Sequence, residues 1–182
     1  VRIRTMAAAA AVAVTLVPTL AATADAAPAK PLVSPVYYLH SANGGHCLDA
    51  ENDAGGQPWN DGDKVQMWHC IGADLQQQWA FYSDGTIRNN NGLLCLDAEN
   101  DAGGRPWNDG DKVQMWHCLA GDAQQQWTYY VNGDATIRNG NGGLCLDAQT
   151  DATHSPSTDG DRVQVYHCIS GDEQQRWLWE QV

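Results

Sequence analysis

One segment, bounded at each end by cysteine, occurs three times in this chain. CLDAENDAGGQPWNDGDKVQMWHC begins at Cys47, CLDAENDAGGRPWNDGDKVQMWHC at Cys95 and CLDAQTDATHSPSTDGDRVQVYHC at Cys145. Each copy is followed by Gln-x-Trp: Gln77-Gln78-Trp79, Gln125-Gln126-Trp127 and Gln175-Arg176-Trp177. The copies start 48 and 50 residues apart. A period of that size means one supersecondary unit repeated about or along an axis. Any site in one copy is therefore a candidate in all three.

Within the unit, strand-like runs are short: Val65-Gln66-Met67-Trp68, Trp79-Ala80-Phe81-Tyr82 and Thr86-Ile87-Arg88. Turn pairs such as Asp61-Gly62, Asp84-Gly85 and Asn91-Gly92 separate them. No stretch keeps a helical period beyond one turn, so the chain reads as all-β with about a dozen short strands. Ile87 and Ile137 each lie eight residues before the next cysteine, whereas copy three stops at Val182 with no such strand. Leu39, within Val36-Tyr37-Tyr38-Leu39-His40, lies eight residues before Cys47. The N-terminal strand is thus expected to complete copy three, closing the repeat into a ring and removing free sheet edges.

The six cysteines all lie in the repeats, each pair 23 positions apart. Of the 15 possible pairings, the repeat symmetry selects Cys47–Cys70, Cys95–Cys118 and Cys145–Cys168. Each bridge should contribute about 3 kcal/mol through loop closure. Disulfides suit an exported protein, and the start of the chain agrees. Arg2 and Arg4 precede an apolar run from Met6 to Leu20, followed by Ala-x-Ala patterns. Residues 1–26 are read as a signal peptide cleaved near 24–27, residues 27–35 as a Pro-rich linker, and 36–182 as the domain. The repeats cover about 42–89, 90–139 and 140–182. The apolar run is too short for a typical membrane span of about 20 residues. The mature chain is expected to be secreted, monomeric and free of a membrane span.

The formal charge of −12, without a basic stripe, makes nucleic acid a poor partner. His69, His117 and His167 precede cysteines, but bridging claims the thiols and the spacing of structural zinc sites is absent. The loop rich in Asp and Asn does not meet the EF-hand pattern. No metal or other cofactor is expected.

Three copies of C-L-D, V-Q-φ-aromatic-x-C and Q-x-W, in phase with three matched cysteine pairs, resemble the ricin B-type lectin family. The resemblance covers roughly Tyr37 to Val182. It implies a β-trefoil of three four-stranded lobes about a pseudo-threefold axis, with one shallow sugar pocket per lobe and no catalysis there. A carboxylate takes hydrogen bonds from vicinal hydroxyls, and a flat aromatic meets the C–H face of a sugar ring.

By that resemblance the first pocket uses Asp49 as acceptor and Trp68 as platform, with Gln66, Gln76 and Gln77 adding contacts or bracing. The second uses Asp97, Trp116, Gln114, Gln124 and Gln125. The third uses Asp147, Tyr166, Gln164, Gln174 and Gln175. Each acid could instead cap a turn, each platform could be plain packing, and Gln77, Gln125 and Gln175 read best as braces. Trp79, Trp127 and Trp177 are read as core, and Trp179 as lobe packing. The loop between Asp49 and Gln66 is longer than the family pattern usually allows. Its Trp59, and Trp107 in copy two, either wall their pockets as possible secondary contacts or cap their lobes. Copy three has no such Trp, so two equivalent sites and one variant are expected.

The reading is a multivalent carbohydrate-binding protein for galactose-like or xylan-like glycans, and not an enzyme. A glycosidase needs one positioned carboxylate pair, whereas these acids recur in every copy. The alternatives are a protein-binding trefoil such as a protease inhibitor, and a targeting subunit for a separate enzyme or toxin.

Overall fold

The computed structural model describes residues 35–51, 60–90, 94–99, 108–131, 133–149 and 158–182, all within the compact unit Leu32–Val182. The expected signal peptide, and the linker up to residue 34, lie outside the described residues, as do Trp59 and Trp107. Among the described residues no helix is long and apolar enough to cross a membrane.

Twelve strands form three lobes. Lobe 1 holds β2 (Cys47–Ala50), β3 (Val65–Trp68), β4 (Gln78–Phe81) and β5 (Ile87–Asn89). Lobe 2 holds β6 (Cys95–Ala98), β7 (Asp111–Trp116), β8 (Trp127–Tyr129) and β9 (Ile137–Asn139). Lobe 3 holds β10 (Cys145–Ala148), β11 (Val163–Tyr166) and β12 (Trp177–Gln181). Its fourth strand is β1 (Val36–Ser41), which pairs with β12 with Ser41 opposite Trp177. Asn89 opposite Trp79 and Asn139 opposite Trp127 repeat that register. Strand β1 also pairs with β4 of lobe 1, Tyr37 opposite Trp79. The chain is a β-trefoil whose first strand joins its last lobe to its first.

Alternation along each strand sorts the side chains, because successive residues face opposite sides of a sheet. Leu48 and Met67 face each other across β2–β3 and point inward; Leu96 with Met115 and Leu146 with Val165 repeat the arrangement. The motif tryptophans Trp79, Trp127 and Trp177 lie buried beside them. Their indole nitrogens donate to the carbonyls of Leu48, Leu96 and Leu146 at 2.9, 2.9 and 3.0 Å, so burying a polar ring edge leaves no unmet donor there. Trp179, expected to pack a lobe, packs across lobes. Its ring meets Phe81 of lobe 1 at 4.1 Å, Tyr129 of lobe 2 at 4.3 Å and Tyr37 of β1 at 5.2 Å between centroids. The reason is register: Phe81, Tyr129 and Trp179 each lie two residues beyond a motif tryptophan and so converge on the axis.

The lobes also lock through their turns. Asp61 of lobe 1 accepts from the backbone N of His117 at 2.6 Å and pairs with that ring's Nδ1 at 2.6 Å. Asp109 holds His167 of lobe 3, and Asp159 holds His69 of lobe 1, in the same way. The three clamps run in one direction and close a circuit. All three expected disulfides form, Cys47–Cys70, Cys95–Cys118 and Cys145–Cys168.

If β1 is a lobe strand rather than an appended tail, Leu39→Ala should lower the unfolding free energy by about 2–5 kcal/mol. Chemical denaturation should show the same for Ile87→Ala and Ile137→Ala. A change below about 0.5 kcal/mol, as for a surface substitution, would contradict the closure.

Candidate functional site

The face of the β2–β3 hairpin opposite the core carries Cys47, Asp49, Gln66 and Trp68, for the same reason of alternation. Asp49 stands directly across from Gln66, as Asp97 does from Gln114 and Asp147 from Gln164. Three residues at each of 75–77, 123–125 and 173–175 form a 3-10 turn that lies against its hairpin. The three aspartates are nearly buried although they face away from the core.

Each carboxylate is held from both sides. The amides of Gln66, Gln114 and Gln164 donate to one oxygen of Asp49, Asp97 and Asp147 at 3.1, 3.0 and 2.8 Å. Gln125 and Gln175 donate to the other oxygen at 3.1 Å, and Gln77 hydrogen-bonds Asp49 likewise. Gln77, Gln125 and Gln175 have no exposed surface. Their amides also donate to the carbonyls of His69, His117 and His167, and their carbonyls accept from the backbone of Ile71, Leu119 and Ile169. These glutamines are braces that aim the carboxylate and tie it to the loop after the second cysteine.

On the same hairpin faces, two residues beyond Gln66, Gln114 and Gln164, lie the half-buried rings of Trp68, Trp116 and Tyr166. The preceding lobe supports the second of them. A side chain at Gly62 of lobe 1 would come within 3.9 Å of Trp116, and this glycine has a φ of +93° that other residues rarely adopt. The Asp-Gly turns, read from sequence as ordinary turn signals, thus clamp the next lobe, and the first of them also lies beside that lobe's platform ring.

In lobe 1 these residues line a depression of about 250 Å³ with Asp49, Gln66, Trp68 and Gln76 on its walls. In lobe 2 Asp97, Gln114, Trp116 and Gln124 line one of about 330 Å³. Three further contributors were missed from the sequence: Glu51, Ile71 and Asp74 in lobe 1, and Glu99, Leu119 and Asp122 in lobe 2. Asp74 caps the 3-10 turn by accepting from Gln76 N at 3.0 Å. A signal for it existed, since an aspartate precedes the paired glutamines in every copy, as Asp74, Asp122 and Asp172. The third lobe has Tyr166 as its ring and Gln149 where the others have Glu51 and Glu99.

Burial pushes the Asp49 carboxyl above the ordinary aspartate range. The Gln66 and Gln77 amides pull it partly back, and the charges of Asp74 and Glu51 push it up again. Asp97 and Asp147 shift the same way, with burial the largest cause in both. In the first two lobes the site therefore offers an aimed, poorly hydrated acceptor in one depression with a flat aromatic ring, among other carboxylates. That chemistry suits polyhydroxylated ligands without negative charge. A three-donor group among the described residues, His40 with Cys47 and Cys70, has its two sulfurs bonded to each other and so offers no thiolate.

A family model described as the ricin-type beta-trefoil lectin domain matches residues 35–177. Over 45 residues the chain is 44% identical to the ribosome-inactivating protein PMRIPt of Polygonatum multiflorum, a stretch that is 25% of this chain and 7% of that protein. The designed threefold-symmetric protein ThreeFoil is 25% identical with a TM-score of 0.63, over 81% of this chain and 99% of that one. The C-terminal half of an earthworm R-type lectin, solved with GalNAc, is 17% identical with a TM-score of 0.61, over 81% of this chain and 99% of its own. A non-toxic homologue of type II ribosome-inactivating proteins from bitter gourd, solved with α-methyl-D-galactoside, is 23% identical with a TM-score of 0.60. That match takes in 81% of this chain and 49% of the other. The likenesses below 25% identity show the fold.

The raised carboxyls give a testable pH dependence. Between the ordinary aspartate value of about 3.9 and its raised value, the folded chain holds a proton that the unfolded chain has lost. Each such aspartate therefore favours folding fully below that window, and the contribution is lost as pH rises through it. Asp97→Asn cannot titrate, so the stability of this variant relative to the parent should rise as pH climbs from about 3 to about 7. Parallel stability curves by urea denaturation would contradict the assignment.

Proposed function

The chain belongs to the ricin-type β-trefoil lectin family, and from that premise we propose that it is a secreted, non-catalytic protein that binds neutral glycans of the galactose or xylan type. The observation that carries this reading is the repeated build of the pocket. A nearly buried carboxylate gripped by two glutamines occurs in each lobe, and in the first two lobes it lines one depression with an aromatic ring. Turn capping alone does not call for a carboxylate held on both oxygens away from any turn backbone.

The acidic surround of the first two pockets and the charge of −12 disfavour sulfated, sialylated or uronate-rich chains. A shallow single-sugar pocket typically reaches millimolar affinity, about −4 kcal/mol. Several pockets on one rigid monomer raise avidity by about 10²–10⁴ on a polymer or a dense glycan surface, which gives the repetition a use. Three bridges with no free cysteine among the described residues fit an oxidising compartment outside the cell.

A second reading has the same chemistry at its core. The bitter gourd homologue extends well beyond the matched region, and a module of this kind could serve as the targeting part of a separate enzyme or toxin.

A glycan array with polysaccharide pull-down on the mature chain tests the proposal. Neutral galactosides or xylans should be retained, and the triple variant Asp49→Ala, Asp97→Ala, Asp147→Ala should lose at least about tenfold in affinity, or 1.4 kcal/mol. Binding that survives the triple change in a folded protein would overturn the site. Absence of binding to every glycan would overturn the function.

A further inference from the structure

The first two pockets share their lining but not their surroundings. Leu119 is a wall of the lobe 2 pocket and also of a second depression beyond it, of about 340 Å³. That depression lies where the β4–β5 hairpin of lobe 1 meets lobe 2, lined by Asp84, Thr86 and Arg88 on one side and by Gly121 and Gln126 on the other. Its cation is fixed in place. Arg88 Nε donates to Thr86 Oγ1 at 2.9 Å, Nη2 donates to Asp84, and the guanidinium lies 4.1 Å over the ring of Tyr82. Asp84 is held in turn by the backbone and hydroxyl of Thr86. Arg88 Nη1 takes part in neither of the two Arg88 bonds.

The junction of lobe 3 with lobe 1 shows the same place filled. In β1, Tyr38 stands at the position of Thr86, one residue before the buried aliphatic Leu39 or Ile87. The Tyr38 hydroxyl accepts from Ala73 N at 2.8 Å. Gly121 is the counterpart of Ala73, three residues after the second cysteine of its lobe. With Thr86 in place of the tyrosine, the Gly121 amide has no hydrogen-bond partner among the described residues. Of the three junctions, that of lobe 3 with lobe 1 thus seats a hydroxyl on this amide, and that of lobe 1 with lobe 2 leaves the amide and the space open beside a pocket; at that of lobe 2 with lobe 3, Asp134, Thr136 and Arg138 repeat the network of Asp84, Thr86 and Arg88.

We propose that this groove is a second sugar subsite, so that the lobe 2 pocket holds at least a disaccharide and the lobe 1 pocket, closed off by Tyr38, a single residue. The proposal rests on the pocket reading above. A sugar hydroxyl takes the place of the Tyr38 phenol on the Gly121 amide. Arg88 donates to neighbouring hydroxyls, and the chain passes over Leu119. Asp84 neutralises Arg88, so the subsite, like the pocket, selects uncharged sugars.

The test is calorimetry on a chain carrying Asp49→Ala and Asp147→Ala, so that lobe 2 alone binds. Galactose is compared with lactose, and xylose with xylotriose. The preferred oligosaccharide should bind about tenfold tighter than its monosaccharide. Thr86→Tyr, which copies the filled junction, should abolish that gain and leave monosaccharide affinity unchanged. NMR of the unsubstituted chain gives a readout independent of how the variants fold. The Gly121 amide and the Arg88 side chain should shift with the oligosaccharide and not with the monosaccharide, while the Ala73 amide should not shift with either. Monosaccharide binding without any gain for the longer sugar, a gain that persists in Thr86→Tyr, or an unmoved Gly121 amide would overturn the groove and leave the pocket standing. No monosaccharide binding at all would overturn both.

Discussion

The ladder between β1 and β12 is the joint on which the molecule closes. Without it lobe 3 would lack its fourth strand, and the chain's last strand would present unpaired backbone. Because β1 pairs on its other side with β4, the same strand ties the last lobe to the first. The apolar faces of the three lobes then meet at one axis. There Trp79, Trp127 and Trp177 fill the interior, and Trp179 joins the rings of Phe81, Tyr129 and Tyr37. No lobe has enough inward-facing residues to bury its own face, so folding is expected to be cooperative across the three.

Closure also builds the sites, because each pocket depends on more than its own lobe. Gln66, Gln114 and Gln164 grip the site carboxylates and also stand in the bridges between lobes, opposite Arg162, Lys64 and Lys112. The Asp-Gly turn of one lobe clamps the histidine beside the next lobe's platform ring. A carboxylate without exposure loses hydration, and hydrogen bonds from paired glutamines compensate in part. What the fold maintains at that cost is an acceptor aimed at a fixed point beside an aromatic ring.

Much of this was legible in the sequence because symmetry repeats every signal. The cysteine pairing, the ring closure through Leu39 and the inward motif tryptophans all follow from spacing that recurs. The acid, the platform and the bracing glutamines came from the family resemblance; acid, platform and glutamines line one depression in each of the first two lobes, and in the third Gln164 and Gln175 hold Asp147. What did not show, apart from that closure, was which side chains meet across lobes. Two partners of Trp179, Phe81 and Tyr129, lie in other lobes, and the Asp61–His117 clamp spans 56 residues. The linings of the first two depressions match position for position, while Tyr38 and Thr86 differ at matched positions beside them, in strands that share little sequence.

If the nearly buried carboxylate and its neighbouring ring form the sugar site, a crystal of the chain soaked with a neutral galactoside or xylo-oligosaccharide should show a sugar ring stacked on Trp116, with vicinal hydroxyls within hydrogen-bond distance of Asp97. Sugar bound elsewhere on the trefoil, with the Asp97 pocket holding only solvent, would contradict it.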